Sequence, residues 1–210
     1  MEDRLLVESD HSRVEIINGR VSKTFLGEEA QERFEREIAF LRENTSEYLP
    51  TIVEFDSKKF VITYSLLRGE TPGFLDNTEA SLLNHHDFHR IRTALLSIQD
   101  LKQGIIVHSD LAPHNIYITK NRVVISDWDS YWITDTQKYR MYDFATLWSF
   151  LDTNIEHLVN VFKEVKIELE NEGLLDDFRF CFQKRINFLQ KYPIQWERSK
   201  ELCEKIVEII

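Results

Sequence analysis

Two short β-patterned runs, Val14–Ile17 and Val21–Phe25, flank Asn18-Gly19, the dipeptide preferred in two-residue hairpin turns. The pattern then changes period. Ala30, Phe34, Ile38 and Leu41 recur at helical spacing, which predicts a helix over 28–43. Pro50 ends the connection, and Thr51–Phe55 and Phe60–Ser65 predict two more strands around a Ser57-Lys58 turn. Gly69, Pro72 and Gly73 make 68–73 a hinge. Beyond it Phe88, Ile91, Leu95, Ile98 and Leu101 form one helical stripe, ended by Gly104. Ile116–Thr119 and Val123–Ser126 predict short strands turning at Asn121. The remainder reads as helix. Ile155, Leu158, Val159, Phe162 and Val165 make one amphipathic face, and Leu202, Ile206, Val207 and Ile210 another. The order predicts a two-lobed α+β protein, with a small β-rich N-lobe over 1–68 and a mostly helical C-lobe over 69–210.

Composition narrows the classes. With 210 residues, 42% of them hydrophobic, the chain can bury one core or two small ones around a cleft. Six Gly and four Pro leave little for long linkers. The net charge of −10 argues against nucleic acid or an anionic membrane as partner, since both reward a basic face. It leaves room for a cationic acceptor. No apolar run reaches membrane-spanning length, and the N-terminus lacks the apolar core of a signal peptide. Cys181 and Cys203 sit in apolar company and read as buried free thiols. A cytoplasmic protein is the expectation.

The candidate chemistry begins at Lys23, which shares a strand face with Val21 and Phe25. A lysine on an apolar face needs a partner or a ligand, and a phosphate or a carboxylate can serve. Periodicity selects the carboxylate. Taking about 100° per residue, Glu37 falls between Phe40 and the Phe34/Ile38/Leu41 cluster, whereas Glu32 faces away and Glu35 lies off the other edge. The alternative for Glu37 is a surface ion pair with Arg33 or Arg36.

The most specific stretch is His108-Ser-Asp-Leu-Ala-Pro-His-Asn115, followed by Val123-Val-Ile-Ser-Asp-Trp-Asp129. Apolar runs anchor it on both sides while its polar residues face a cleft. An Asp and an Asn in one loop, with another Asp beyond an apolar strand, is an order suited to phosphoryl transfer. Asp110 would orient and deprotonate an attacking hydroxyl. Asn115 and Asp127 would hold Mg²⁺ against nucleotide phosphates. The bland alternative is a turn in which Asp110 and Asn115 only cap backbone groups. Asp129 would share the metal, face the substrate or serve as a turn residue. Asp143, in an apolar helical run, must accept hydrogen bonds, and the amides of the His108–Asp110 loop are suitable donors.

On Lys23, Glu37, the H-S-D-L-x-P-H-N loop and the D-W-D after it, the chain resembles the protein-kinase-like superfamily. It looks closest to the compact branch of aminoglycoside phosphotransferases, choline kinases and lipopolysaccharide sugar kinases. The resemblance spans about Ser9 to Phe150. It implies ATP and Mg²⁺, Asp110 as catalytic base, Asn115 and Asp127 as metal ligands, and Ser65, Leu66 and Leu67 as the strand that holds adenine. Three departures stand out. Ser9–Val14 replaces the Gly-rich phosphate loop, so backbone amides or Ser12 would have to reach the phosphates. D-W-D replaces D-F-G. The short distance from Asp127 to Asp143 leaves no room for an activation segment.

These readings lead to an ATP-dependent phosphotransferase acting on a hydroxyl of a small molecule, possible acceptors being cationic or sugar-like. A small atypical protein kinase or ATPase working within a complex, and a pseudokinase binding module, are the alternatives. His85 and His89, four apart on a helix, could hold a metal, but a solvated helix start explains them. Trp128, Tyr131 and Trp132 could cage a ligand, but core packing explains them more simply.

Overall fold

A computed structural model describes residues 4–17, 20–65, 77–102 and 104–210. The 68–73 hinge and the Asn18-Gly19 turn lie outside the described residues. The chain is α+β. Strands β1 (Arg4–Glu8), β2 (Ser12–Ile17), β3 (Arg20–Phe25), β4 (Ile52–Asp56) and β5 (Val61–Tyr64) form one antiparallel sheet in the order β1-β2-β3-β5-β4. Ile17 pairs with Arg20, the register a two-residue hairpin loop requires. Strand β1 carries no period-two pattern that sequence reading could single out.

Helix α1 (Ala30–Glu43) starts two residues later than its periodicity suggests. Gly27, at φ +82°, and the turn at Glu28-Glu29 come first. Phe34 and Ile38 pack with Val21, Phe25, Ile62 and Tyr64 in a small cluster under the sheet. Phe40, on another side of the same helix, enters the larger cluster instead. One helix thereby ties the sheet to the rest of the chain.

The larger cluster is built from helices α2 (Asn77–Ala80), α3 (His85–Gln99), α4 (Tyr142–Phe150), α5 (Ile155–Asn171), α6 (Leu175–Leu189) and α7 (Pro193–Ile209). Helix α3 opens on a capping box, with Asn84 accepting from Asp87 N and Asp87 accepting from Asn84 N. Helix α4 is buried from Asp143 to Ser149, as expected of a helix apolar on most sides. Its Trp148 stacks on Phe88 at 4.4 Å and meets Phe162 edge-on at 4.9 Å.

Four short strands lie between α3 and α4. Strand β7 (Ile116–Ile118) pairs with β8 (Val123–Ile125), and β6 (Ile105–Val107) with β9 (Trp132–Thr134). The helical stripe ends at Gln99, earlier than Gly104. Gly104, at φ +96°, instead permits close approach of β6 and β9, since a Cβ there would lie 3.0 Å from Ile133 Cγ2.

Both cysteines are buried and free. Burial pushes each thiol from 9.0 up to about 12. A thiol so placed holds about a thousandfold less thiolate at pH 8 than one at 9.0. Alkylation of the native protein at pH 8 is therefore expected to be slow at both sites and rapid only in guanidinium. Two fast-reacting thiols in the folded protein would contradict this. Among the described residues no helix is long and apolar enough to cross a membrane.

Candidate functional site

Strand β3 places Lys23 at the centre of the sheet, opposite Val14 on β2 and Ile62 on β5. Only 4% of the residue is exposed. Its Nζ donates to Glu37 Oε2 at 2.7 Å, to Asp129 Oδ2 at 3.2 Å and to Asp127 Oδ1. Glu37 is wholly buried, and its other oxygen accepts from the Tyr64 hydroxyl at 2.6 Å. Arg36 pairs with Glu32 on the helix surface instead. The inward direction of Glu37 follows from the apolar residues on either side of it.

Asp127 and Asp129 come from a part of the chain more than a hundred positions from Lys23. Strand β8 ends at Asp127, which takes a left-handed conformation at φ +70°. Among non-glycine residues Asp is one of the few that adopt it readily. The helical turn Trp128–Ser130 follows. Trp128 stacks on Phe40 of α1 at 4.5 Å and 14°, and donates from Nε1 to Ile125 O at 2.8 Å. This stack holds the two aspartates beside α1. Trp128 is therefore core, whereas Tyr131 is half-buried against Phe40 and Trp132 half-buried against Tyr139.

The electrostatics follow from burial and proximity. Burial draws the Lys23 ammonium down, but Glu37, Asp127 and Asp129 outweigh it and hold it above the ordinary lysine value. Burial pushes Asp127 up, but Lys23 more than reverses this, with His108 and Arg33 adding to it, so its carboxyl lies below the ordinary range. Burial raises Glu37 and the Tyr64 hydroxyl.

The loop between β6 and β7 is fastened from beneath. Asp143 of α4 accepts from the His108 amide at 2.8 Å and the Ser109 amide at 3.0 Å. His108 is buried, its Nε2 lies 2.7 Å from Ser126 O, and its ring meets Trp128 edge-on. Ser109, at φ +73°, turns the chain so that Asp110 is exposed. Asn115 donates from Nδ2 to Asp110 O at 2.8 Å, and its own carbonyl accepts from Ser126 N at 2.9 Å. Pairing of β7 with β8 thus sets Asn115 beside the residue that precedes Asp127.

Glu37, Asp127 and Asp129 each offer a carboxylate oxygen within 4.8 Å of the others. Both oxygens of Glu37 are already engaged by Lys23 and Tyr64, which leaves Asp127 and Asp129 for a divalent ion. The Asp127 side chain is the accessible one, at 30%. Such an all-oxygen set suits Mg²⁺.

Other expected site residues sit further out. Ser65 is exposed, with its amide on Thr51 O at 3.0 Å. Leu66 and Leu67 lie outside the described residues. Ser12 is half-buried at the start of β2 and donates its amide to Ser9 Oγ at 3.1 Å. The His11 amide donates to the same hydroxyl oxygen at 3.2 Å. These two of the amides expected to reach a phosphate are thus engaged within the turn.

Two arginines have partners that the sequence reading does not give them, Arg33 being expected there only as a surface partner of Glu37. Arg33 donates to Asp129 Oδ2 at 2.5 Å and to His11 O at 3.0 Å. Its place four residues before Glu37, on the same helix face, was the available signal. Arg185 of α6 is buried, donates from Nε to Ser149 Oγ at 3.0 Å, and makes no carboxylate ion pair among the described residues. No sequence signal marked it.

The histidines on α3 lie beside acidic side chains of α5. His85 pairs with Glu164, and His89 with Glu168. Arg92 donates to Glu168 at 3.1 Å and Glu172 at 2.6 Å, so a guanidinium already stands where a cation would. No family model matches this chain, and no curated protein matches it.

Proposed function

We propose that the protein is an ATP-dependent phosphotransferase with a two-lobed kinase-like arrangement, its nucleotide held between residues 1–68 and 69–210. One observation carries this reading. Lys23, fixed by a buried glutamate, faces two aspartates more than a hundred positions away in the chain, at 2.7 Å and 3.2 Å for Glu37 and Asp129. A purely structural ion pair needs one carboxylate. Three around this buried ammonium, with only the Arg33 guanidinium beside it, leave a formal excess of one negative charge, which suits a site completed by a cation.

In this reading Lys23 donates to phosphate oxygens and Glu37 keeps it aimed. Asp127, Asp129 and Asn115 would hold Mg²⁺, which when bound would supply the positive charge that the phosphates require. Asp110, exposed at the loop, accepts the proton of the acceptor hydroxyl as its oxygen forms the new bond to the γ-phosphorus. The bond from that phosphorus to the β–γ bridging oxygen breaks, and ADP leaves. Ser65 with Leu66 and Leu67 would border adenine. The acceptor is a small hydroxylated molecule, since the fifteen or so residues from Asp127 to Asp143 are taken up by a helical turn, β9 and a second helical turn, leaving no extended peptide platform.

A second reading, a nucleotide-binding module without turnover, is favoured by the spent amides of His11 and Ser12. Incubation with γ-labelled ATP, Mg²⁺ and a pool of aminoalcohols and sugars separates the two. Label in a small molecule supports the phosphotransferase. Nucleotide binding with no transfer and no hydrolysis favours the module, and label on protein alone favours a protein kinase. No binding of ATP overturns all three.

A further inference from the structure

We propose that Arg33 binds the nucleotide phosphates, replacing a Gly-rich loop with a guanidinium. The inference rests on the phosphotransferase reading and goes beyond it in assigning a ligand contact to a residue on α1.

A phosphate cradle made of backbone requires free N–H groups directed at the ligand. In the turn between β1 and β2 three such groups, the amides of Ser9, His11 and Ser12, are engaged within the turn. Ser9 N donates to Ser12 O at 2.8 Å, and Ser9 Oγ accepts from His11 N and Ser12 N. The His11 carbonyl is engaged twice, by Leu26 N at 2.8 Å and by Arg33 NH1 at 3.0 Å. Those three amides are directed at the turn's own oxygens, so the turn offers few backbone donors to a phosphate.

Arg33 stands where the missing donors would be needed. Its guanidinium bridges the turn, through His11 O, and the metal loop, through Asp129 Oδ2. Lys23 donates to that same Asp129 oxygen. Lys23 and Arg33 are therefore neighbours, both held by a carboxylate assigned to the metal. Two cations face Glu37, Asp127 and Asp129, a formal sum of −1. A divalent ion on Asp127 and Asp129 would compete with Lys23 and Arg33 for the same oxygens. Both cations would then be free to turn to phosphate oxygens, and a guanidinium can hold two of them at once. The Arg33 side chain is 19% exposed, so it reaches the site's edge without being sealed in.

Equilibrium binding to the full chain tests this, with Mg·ATP, magnesium tripolyphosphate and adenosine as probes. Arg33→Gln and Arg33→Lys are compared with wild type, and circular dichroism confirms folding of each. Arg33→Gln is expected to weaken Mg·ATP and magnesium tripolyphosphate by about 10- to 100-fold and leave adenosine unchanged. Arg33→Lys, which keeps charge but not the fork, is expected to fall between and serves if the glutamine variant does not fold. Unchanged or tighter binding of both phosphate probes by either folded variant, with wild type binding Mg·ATP, would overturn the role of Arg33 and leave the phosphotransferase reading standing. Failure of wild type to bind Mg·ATP would overturn both.

Discussion

Asp127→Ala is expected to lower Mg²⁺-dependent ATP turnover by about 10³- to 10⁴-fold, and Asp110→Ala by a similar factor. The two should differ in binding. Asp127 sits among the carboxylates, so its loss should remove the Mg²⁺ dependence of nucleotide affinity. Asp110 is exposed on a separately fastened loop, so its loss should leave Mg·ATP affinity close to wild type. Steady-state turnover with isothermal titration for each variant reads both quantities. Full turnover in Asp110→Ala would remove it as the base. Unchanged Mg²⁺ dependence in Asp127→Ala would move the metal elsewhere.

Replacing Lys23 with methionine is expected to cost about 3 kcal/mol of folding stability at neutral pH. The ammonium is the shared partner of Glu37, Asp127 and Asp129, and its removal leaves carboxylates facing one another with only Arg33 between them. The pH dependence has a definite sign. Asp127 is depressed below its ordinary 3.8 in the folded protein, mainly because Lys23 offsets its burial. Its contribution is therefore present above about 3.8 and is lost as pH falls through the folded value. The gap between wild type and Lys23→Met should narrow as pH falls below 4. Millimolar Mg²⁺ should recover part of the loss at pH 7, because the ion can replace the missing charge. Urea denaturation at both pH values, with and without Mg²⁺, measures this. A variant as stable as wild type at pH 7 would mean that the carboxylates do not depend on Lys23.

Much of the site was legible in order of sequence. A strand period of two sets Lys23 with Val21 and Phe25, and a helix period near 3.6 turns Glu37 inward, so the Lys23–Glu37 pair could be read from two local patterns. The need of a buried carboxylate for donors led from Asp143 to the His108–Ser109 amides, and both bonds are present. Local rules were weaker where neighbours decide. Strand β9, with its three residues, forms because β6 lies beside it, and Phe60 turns left-handed where a strand was expected to begin.

By itself the sequence determined which residues alternate, which recur at helical spacing and which polar residues stand at the ends of apolar strands, because these depend on backbone geometry within a few positions. Only the tertiary structure decided that Asp129 lies against both Lys23 and Arg33, that the amides of His11 and Ser12 are engaged by Ser9, and that Arg185 is buried beside Ser149. Those outcomes depend on which side chains meet when α1, β8 and α6 pack. Contacts across roughly a hundred residues of chain leave no trace in the period of any one element.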